Sequence, residues 1–441
     1  RNGDINYYYY VDISVNKRVK FNELLFVGNN YFSNKELRDF FFTEASEQAA
    51  SNILDQKYFS SFSALLKEKY IKAGFLSATI DKPVTFYDYS TEKMSVTFRI
   101  REGSKTKVES FKILGIPFDQ EKLLKNKLTN KIGLGFNPIA FQDDLKLINN
   151  YLKDSGYYFS KILNTKSLGI VEYNSDDTMV KINIEVEAGP KIYVDDIIII
   201  GNQKTRKKLI LREVKLEPGA LVTSSKIEHA QANLLALGIF SSVQIKPVTQ
   251  NSTKTDILVF VREKDFGLVE FSPGLRTDLG FKVGANINYK NLDGMNKRVS
   301  FNSVINRRFD LTDLAEERKD SKSLIEFDSS LNFLEDKIFN SEFDLRLSLS
   351  KSRKRFYAYD VDLQRAAYTV SYDFTRWFNI SFRQQIESVS QFNAIQDSNH
   401  GHFQIGSFTP ALKIDLRNRS INPTSGAEFT LSSEYATPLF F

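Results

Sequence analysis

The 441-residue chain contains no cysteine, three histidines, ten prolines and a single tryptophan. Without thiols it can build neither a disulfide framework nor a thiolate metal centre, and an oxidising compartment is permitted without being indicated. The histidines offer little to a metal. His229 lies in an apolar-periodic helical stretch, and His400 and His402 flank Gly401 with no carboxylate or thiol at ligand spacing. Neither a phosphate-binding glycine loop nor a nucleophile elbow occurs. The expectation is a protein that is not an enzyme and uses no cofactor. No run of eighteen apolar residues is present, which excludes a helical membrane span. No signal-peptide pattern follows Arg1, so the sequence reads as mature or trimmed. A net charge of +6 is modest for this length and reads as surface solvation, not nucleic-acid binding.

What the chain does have is a repeat. Glycines follow apolar runs at Gly28, Gly115 and Gly201, spaced 87 and 86 residues apart. Each unit carries a second glycine at a helix-to-strand junction, namely Gly74, Gly156 and Gly238, where a helix end favours a residue without a Cβ. Each closes on an alternating strand, at Val96–Ile100, Ile182–Val186 and Ile257–Val261. Apolar residues at three- and four-residue spacing mark the second helix, as with Phe141, Leu145, Ile148 and Leu152, or Ile227, Ala230, Leu234 and Leu237. The order within a unit is strand, helix, helix, strand, strand: an α+β module in tandem. The first unit has 46 residues between its glycines against 41 and 37, which places an insertion or a lengthened helix around Thr43 to Lys57. Tyr7 to Val15 reads as a closing strand whose own module is missing.

Beyond Asp265 the period becomes two. Phe281, Val283, Ala285, Ile287 and Tyr289 alternate with Lys282, Gly284, Asn286, Asn288 and Lys290; the parity recurs at Phe343 to Leu349 and Ala427 to Leu431. Strands of about ten residues with one apolar and one wet face suit a transmembrane barrel better than a soluble sandwich, whose strands run to about five or six. The 37 Phe and 20 Tyr fit two readings equally, aromatic girdles or ordinary core.

These features carry a resemblance. The modules are similar to polypeptide-transport-associated (POTRA) domains, and the whole resembles the BamA/TamA family of outer-membrane assembly proteins, the BamA type above all. The segments that carry it are Glu263-Lys264-Asp265-Phe266-Gly267 leading into Pro273 to Gly280, Asn291-Leu292-Asp293-Gly294, and Asp415-Leu416-Arg417 followed by Pro423-Thr424-Ser425-Gly426. The resemblance implies this division: residues 1–18 end a preceding module, 19–104, 105–190 and 191–265 are modules, and 266–441 begin a sixteen-stranded barrel. Eight or nine strands are readable, so the chain is expected to be part of a longer protein, cut before the family's Arg-Gly-Phe or Arg-Gly-Tyr loop.

By resemblance, the implied function is capture of unfolded β-barrel precursors by periplasmic modules and their insertion through a barrel seam. The implied partners are those precursors, accessory lipoproteins or an inner-membrane partner, and outer-membrane lipid, without nucleic acid. In related modules the middle strand is the sheet edge, here Leu76 to Tyr87, Tyr158 to Thr165 and Ser242 to Val248, with Pro83 and Pro247 suiting an edge. Client contacts are expected at Val243, Gln244, Ile245 and Pro247; protection against aggregation is the competing reading. A first barrel strand carrying Gly267, Leu268, Val269, Phe271 and Gly274 would form the seam, although Gly267, Pro273 and Gly274 also suit plain turns. Asp415, Arg417, Pro423 and Gly426 form the expected luminal motif, with Asp415 and Arg417 either bracing the wall as an ion pair or meeting the missing loop. The basic runs Thr205 to Lys208 and Lys351 to Arg355 read as solvated turns, the second alternatively as a contact to lipid phosphates. A TamA-type factor for autotransporters, a two-partner secretion pore and the anchor of a passenger hydrolase are the alternatives.

Overall fold

The computed structural model describes residues 20–44, 56–90, 93–165, 168–248, 253–276, 280–307, 325–356, 359–393, 401–419 and 421–436. The strand expected at Tyr7 to Val15 and most of the insertion around Thr43 to Lys57 lie outside them. The chain divides into two compact units, one with the first two modules and one with the third module and a large sheet.

The first module runs β1 (Lys20–Val27), α1 (Asn34–Glu44), α2 (Gln56–Lys72), β2 (Thr79–Ile80), β3 (Val84–Asp88) and β4 (Lys93–Arg101). The second follows with β5 (Lys107–Leu114), α3 (Phe118–Lys127), α4 (Pro138–Asp154), β6 (Lys161–Ile162), β7 (Val171–Tyr173) and β8 (Met179–Glu187). The third has β9 (Tyr193–Ile200), α5 (Lys207–Val214), α6 (Ser224–Ala236), β10 (Phe240–Pro247) and β11 (Lys254–Glu263). In each, the closing strand is central and pairs in parallel with the opening strand, and the two helices supply the other half of the core.

The repeated glycine now has a cause. Gly28, Gly115 and Gly201 all adopt positive φ (86°, 90° and 95°), and a Cβ on any of them would run into the carbonyl oxygen of Ile100, Val186 or Val261 in the closing strand. A side chain there would break both the backbone conformation and the approach of the two strands. A second repeated device is a glutamate at the end of the closing strand. Glu102 accepts the amides of Asn30 and Tyr31 at 2.7 and 2.8 Å, and Glu263 accepts those of Lys204 and Thr205 at 3.1 and 2.7 Å, tying each loop to the sheet. The second module has Ala188 at that place and starts its helix from Pro117 instead.

The edge strands correct the sequence expectation. The first module's edge is split into β2 and β3 around Lys82 and Pro83, with a one-residue slip in register along β4. In the second, β6 and β7 are separated by a loop, and the Asn164 side chain fills the gap by donating to the Asn183 carbonyl and accepting the Glu185 amide. The third module alone keeps its edge in a single strand, the eight-residue β10, whose register slips once at Ser241.

The large sheet is antiparallel throughout: β12 (Gly267–Arg276), β13 (Gly280–Leu292), β14 (Lys297–Arg307), β15 (Ile325–Glu335), β16 (Phe343–Arg355), β17 (Asp360–Thr375), β18 (Phe378–Phe392), β19 (Gly401–Asp415), then β20 (Glu428–Ser432) and β21 (Tyr435–Ala436), both paired with β19. The two last pieces occupy one position, so nine strand positions stand in a row, within the eight or nine read from the sequence. Register places Ile287, Phe301, Leu331, Leu349, Ala366 and Ile386 in one line across six strands, all on one face. Large apolar side chains on that face, including Val283, Leu349, Phe382 and Phe429, are exposed, as a wall meeting lipid requires. The opposite face carries Asn286, Asn302, Ser330, Ser350 and the Arg365–Glu387 ion pair at 2.5 Å.

Aromatics serve in both expected ways. Phe41, Phe59, Phe62, Tyr70 and Phe98 fill the first module's core. Phe343, Tyr372, Phe374, Phe378 and Trp377 form an unbroken chain of ring contacts, 4.6 to 6.0 Å between centroids, at the end of the sheet that carries the third module.

Candidate functional site

Three sites expected from the sequence can be built from the strands upward. The first is β10. It pairs with β11 on one side, and among the described residues no strand pairs with its other side. The Val248 amide donates to the Asp256 carbonyl at 3.0 Å, which makes that facing pair a hydrogen-bonded one. Alternation along an antiparallel ladder then turns the backbone groups of residues 242, 244 and 246 toward β11 and those of Val243, Ile245 and Pro247 outward. The proline's missing N–H thus falls on the open side, where a ladder loses nothing internal. Ile245 and Pro247 side chains are buried against the helices, Val243 is half-buried, and Gln244 is exposed on the sheet's free face. Val259 is central, fully buried and bonded on both sides.

The second is β12, an edge likewise. It is fully regular, pairing from Gly267 with Tyr289 to Arg276 with Gly280 with no slip, so Gly267, Pro273 and Gly274 form no turn. The Lys290 amide donates to the Phe266 carbonyl at 2.8 Å. Counting on by twos, the even residues of β12 bond to β13, while the amides and carbonyls of Gly267, Val269, Phe271 and Leu275, and the carbonyl of Pro273, face the open edge. Val269 and Phe271 share the apolar face, whereas Leu268 lies on the polar one, opposite Asn288.

The third is the turn between β19 and β20. Arg417 grips Asp415 through two bonds of 2.8 and 2.7 Å and also pairs with Glu428, which Lys413 reaches at 3.3 Å. Gly426, at φ 99°, packs against the Leu416 carbonyl, and exposed Pro423 lies at the turn's tip. The histidines are not drawn together. His229 is exposed, His402 shares a 2.8 Å hydrogen bond with Ser390, and His400 lies outside the described residues. Among the described residues no cluster of metal-ligating side chains occurs.

Sequence reasoning missed a fourth site. The run Thr205 to Lys208, read as a solvated turn, is where the third module holds the sheet. Thr205 is buried and accepts from Asn291 Nδ2 at 2.9 Å; Arg206 pairs with Asp293, and its amide donates to the Gly294 carbonyl at 3.0 Å. Asn291 and Asp293 both sit at positive φ (67° and 60°), shaping the β13–β14 turn to receive the module. A second tie joins Lys337, in the β15–β16 turn, to buried Glu213 of α5 at 2.9 Å. The Asn-Leu-Asp-Gly segment was the available signal, but nothing local to it names Thr205 as its partner. The other run, Lys351 to Arg355, is not a turn either: it lies within β16.

The modules match a protein-family model, POTRA (surface antigen variable number repeat), at residues 19–103, 106–189 and 192–264. The chain belongs to the POTRA family. Among curated relatives it is 26% identical to the outer membrane protein assembly factor BamA of Nitratidesulfovibrio vulgaris over 252 residues, which is 55% of this chain and 31% of the relative. It is also 26% identical to that of Neisseria meningitidis serogroup B over 297 residues, 65% of this chain and 36% of the relative. The chain thus spans about a third of the length of the curated relatives it matches. A crystal structure of BamA from Haemophilus ducreyi lacking POTRA domains 1–3 superposes with a TM-score of 0.59 at 20% identity, covering 75% of this chain and 64% of that one. POTRA repeats followed by part of a BamA-like barrel are therefore the architecture of this outer-membrane family, with the sheet in the membrane and the modules in the periplasm. Its relatives are assembly factors, not enzymes.

Proposed function

We propose that this chain is the client-handling part of a BamA-type assembly factor: β10 takes up strands of unfolded outer-membrane proteins, and the seam at β12 passes them into the membrane. The observation that carries the reading is the outward-facing backbone of Val243 and Ile245 on the one continuous edge strand among the three modules. A barrel precursor is a set of unpaired strands, and such an edge gives it main-chain hydrogen bonds without selecting its sequence. Three modules and BamA relatives favour this over a secretion pore or a hydrolase anchor. In this reading the Asp415–Arg417–Glu428 cluster braces the luminal wall, and Arg417 is the residue a further loop of the barrel would meet.

The test is site-specific photocrosslinking to a radiolabelled unfolded barrel precursor. A photoreactive residue at Gln244, exposed and outside the core, is expected to give adducts, and the same probe at Val259 is not. Equal adducts at both positions would remove strand addition as the mode of capture.

A further inference from the structure

The run Lys351 to Arg355 is not absorbed by client handling. Its residues lie in β16 near the end of the sheet away from the third module, and their charges are not equivalent. Lys354 points to the polar face and reaches Asp328 at 3.8 Å. Arg353 lies on the apolar face but is held by Asp362 at 2.5 and 2.6 Å and covers the rings of Phe327 and Phe392. Lys351 also lies on the apolar face, is exposed, and has no carboxylate partner among the described residues.

Register places Lys351 in a polar row between the apolar residues nearer the third module and the Arg353–Asp362 pair beyond. Ser329 and Gln364 flank it on the adjacent strands, Ser303 and Ser388 stand next in line, and the row holds no carboxylate. Ser303 and Ser329 share a hydrogen bond of 2.8 Å. Two residues nearer the module, Ala366 stands between Leu349 and Ile386, and the small side chain leaves a groove of about 440 Å³ that runs from these apolar residues to Lys351, Gln364 and Ser388. Lys351 is eight residues along β16 from Phe343 of the aromatic rim, and a tilted strand needs about 9–11 residues to cross the hydrocarbon. A lysine at that depth extends its amine to the headgroup layer while its stem stays among the chains.

We propose that this groove is a binding site for a phosphate-bearing membrane lipid of the leaflet away from the third module. One acyl chain lies over Ala366 between Leu349 and Ile386, and the phosphate meets Lys351 with the Gln364 amide and the Ser329 and Ser388 hydroxyls around it. A cation and neutral donors without a carboxylate suit an anionic headgroup, and an apolar channel leading to them suits its chain. The site depends on the sheet being a membrane wall and not on the capture of clients.

The test uses the full-length protein in nanodiscs of phosphatidylcholine with a minor fraction of lipid A, and counts retained lipid by native mass spectrometry. The wild type is expected to retain lipid A, and to retain dephosphorylated lipid A far less. Lys351→Gln is expected to lower retention about fivefold, the factor that corresponds to the roughly 1 kcal/mol of one basic residue near a membrane surface. Lys351→Arg and Lys354→Gln should retain it, and Ala366→Leu, which fills the groove, should not. Equal retention of the dephosphorylated lipid by the wild type, an observation that requires no variant, would overturn the proposal. So would wild-type retention in Lys351→Gln, or displacement of the lipid by inorganic phosphate at equal concentration, which would make the site one for free anions.

Discussion

Asn291 donates its side-chain amide to the hydroxyl of Thr205 at 2.9 Å, and both residues are buried although 86 positions separate them. The same Asn291 accepts the Asn296 amide through its side-chain oxygen, so one residue closes the β13–β14 turn and fastens it to the third module. Removing the hydroxyl leaves a buried donor without its partner, at a cost of about 1–3 kcal/mol. Thr205→Ala is expected to show that loss as faster hydrogen exchange at the Arg206 amide, which bonds to Gly294 in the same joint. Thr205→Ser should restore protection. Unchanged exchange in the alanine variant would mean the bond does not hold the joint.

Glu263 gives the same module a pH dependence. Burial raises its pKa, but bonds from the Thr205 hydroxyl and from the amides of Thr205, Lys204 and Gln203 outweigh it, so the carboxyl lies below its usual range. A depressed folded pKa means that the stabilisation is complete above the unfolded value, about 4.3, and is lost as pH falls through the folded one. Comparison of chemical unfolding of the wild type and Glu263→Gln across that window should show the two curves converging toward acid and separating toward neutrality. Parallel curves would refute the assignment.

The joint between the first two modules rests on close backbone approach. Thr106 donates to the Gly74 carbonyl at 2.8 Å, and a Cβ on Gly135 would meet the Ala73 carbonyl oxygen. Gly135→Ala is expected to destabilise this unit by about 1–3 kcal/mol, the usual cost of overpacking. In the third module Leu221 pairs with Tyr193 as Gly135 pairs with Lys107, so Leu221→Gly should bring no gain there. Thermal unfolding of the two variants reads out both.

The two faces of the barrel wall separate cleanly. Ile287 lies between Val269 and Phe301 on the apolar face, and Asn288 between Leu268 and Ser300 on the polar one. Ile287→Arg should impair folding, since a charge facing lipid near the midplane costs about 2–4 kcal/mol, whereas Asn288→Arg should be tolerated. Heat-modifiability on a semi-native gel measures it; equal behaviour would mean the faces are wrongly assigned.

Much of this architecture was legible in sequence because its causes are local. Gly28, Gly115 and Gly201 recur because each opening strand passes under a carbonyl of its own module, and the period of two from Phe281 to Tyr289 follows directly from a wall between two solvents. The signal fails where the physics changes. At Lys351 to Arg355 both faces of the strand carry polar side chains and alternation vanishes, so a strand reads as a turn. The expected edge Leu76 to Tyr87 is broken at Pro83, and of the expected Tyr158 to Thr165 only Lys161 and Ile162 join the ladder, which resumes at Val171 beyond the detour at Asn164. Thr205 was misread for a different reason: its partner lies in another domain, and no local pattern encodes that pairing.

Pro273 gives the open edge of β12 a direction. Its absent N–H lies on the open side of β12, so a strand joining there finds donors at Gly267, Val269 and Phe271, then a gap, then Leu275 alone. Beside the third module such a strand would pair as in an ordinary ladder, while beyond the gap a single residue's groups would hold it. A strand joined to this edge would part from it first at the far end, where one residue's groups hold it, and last beside the third module.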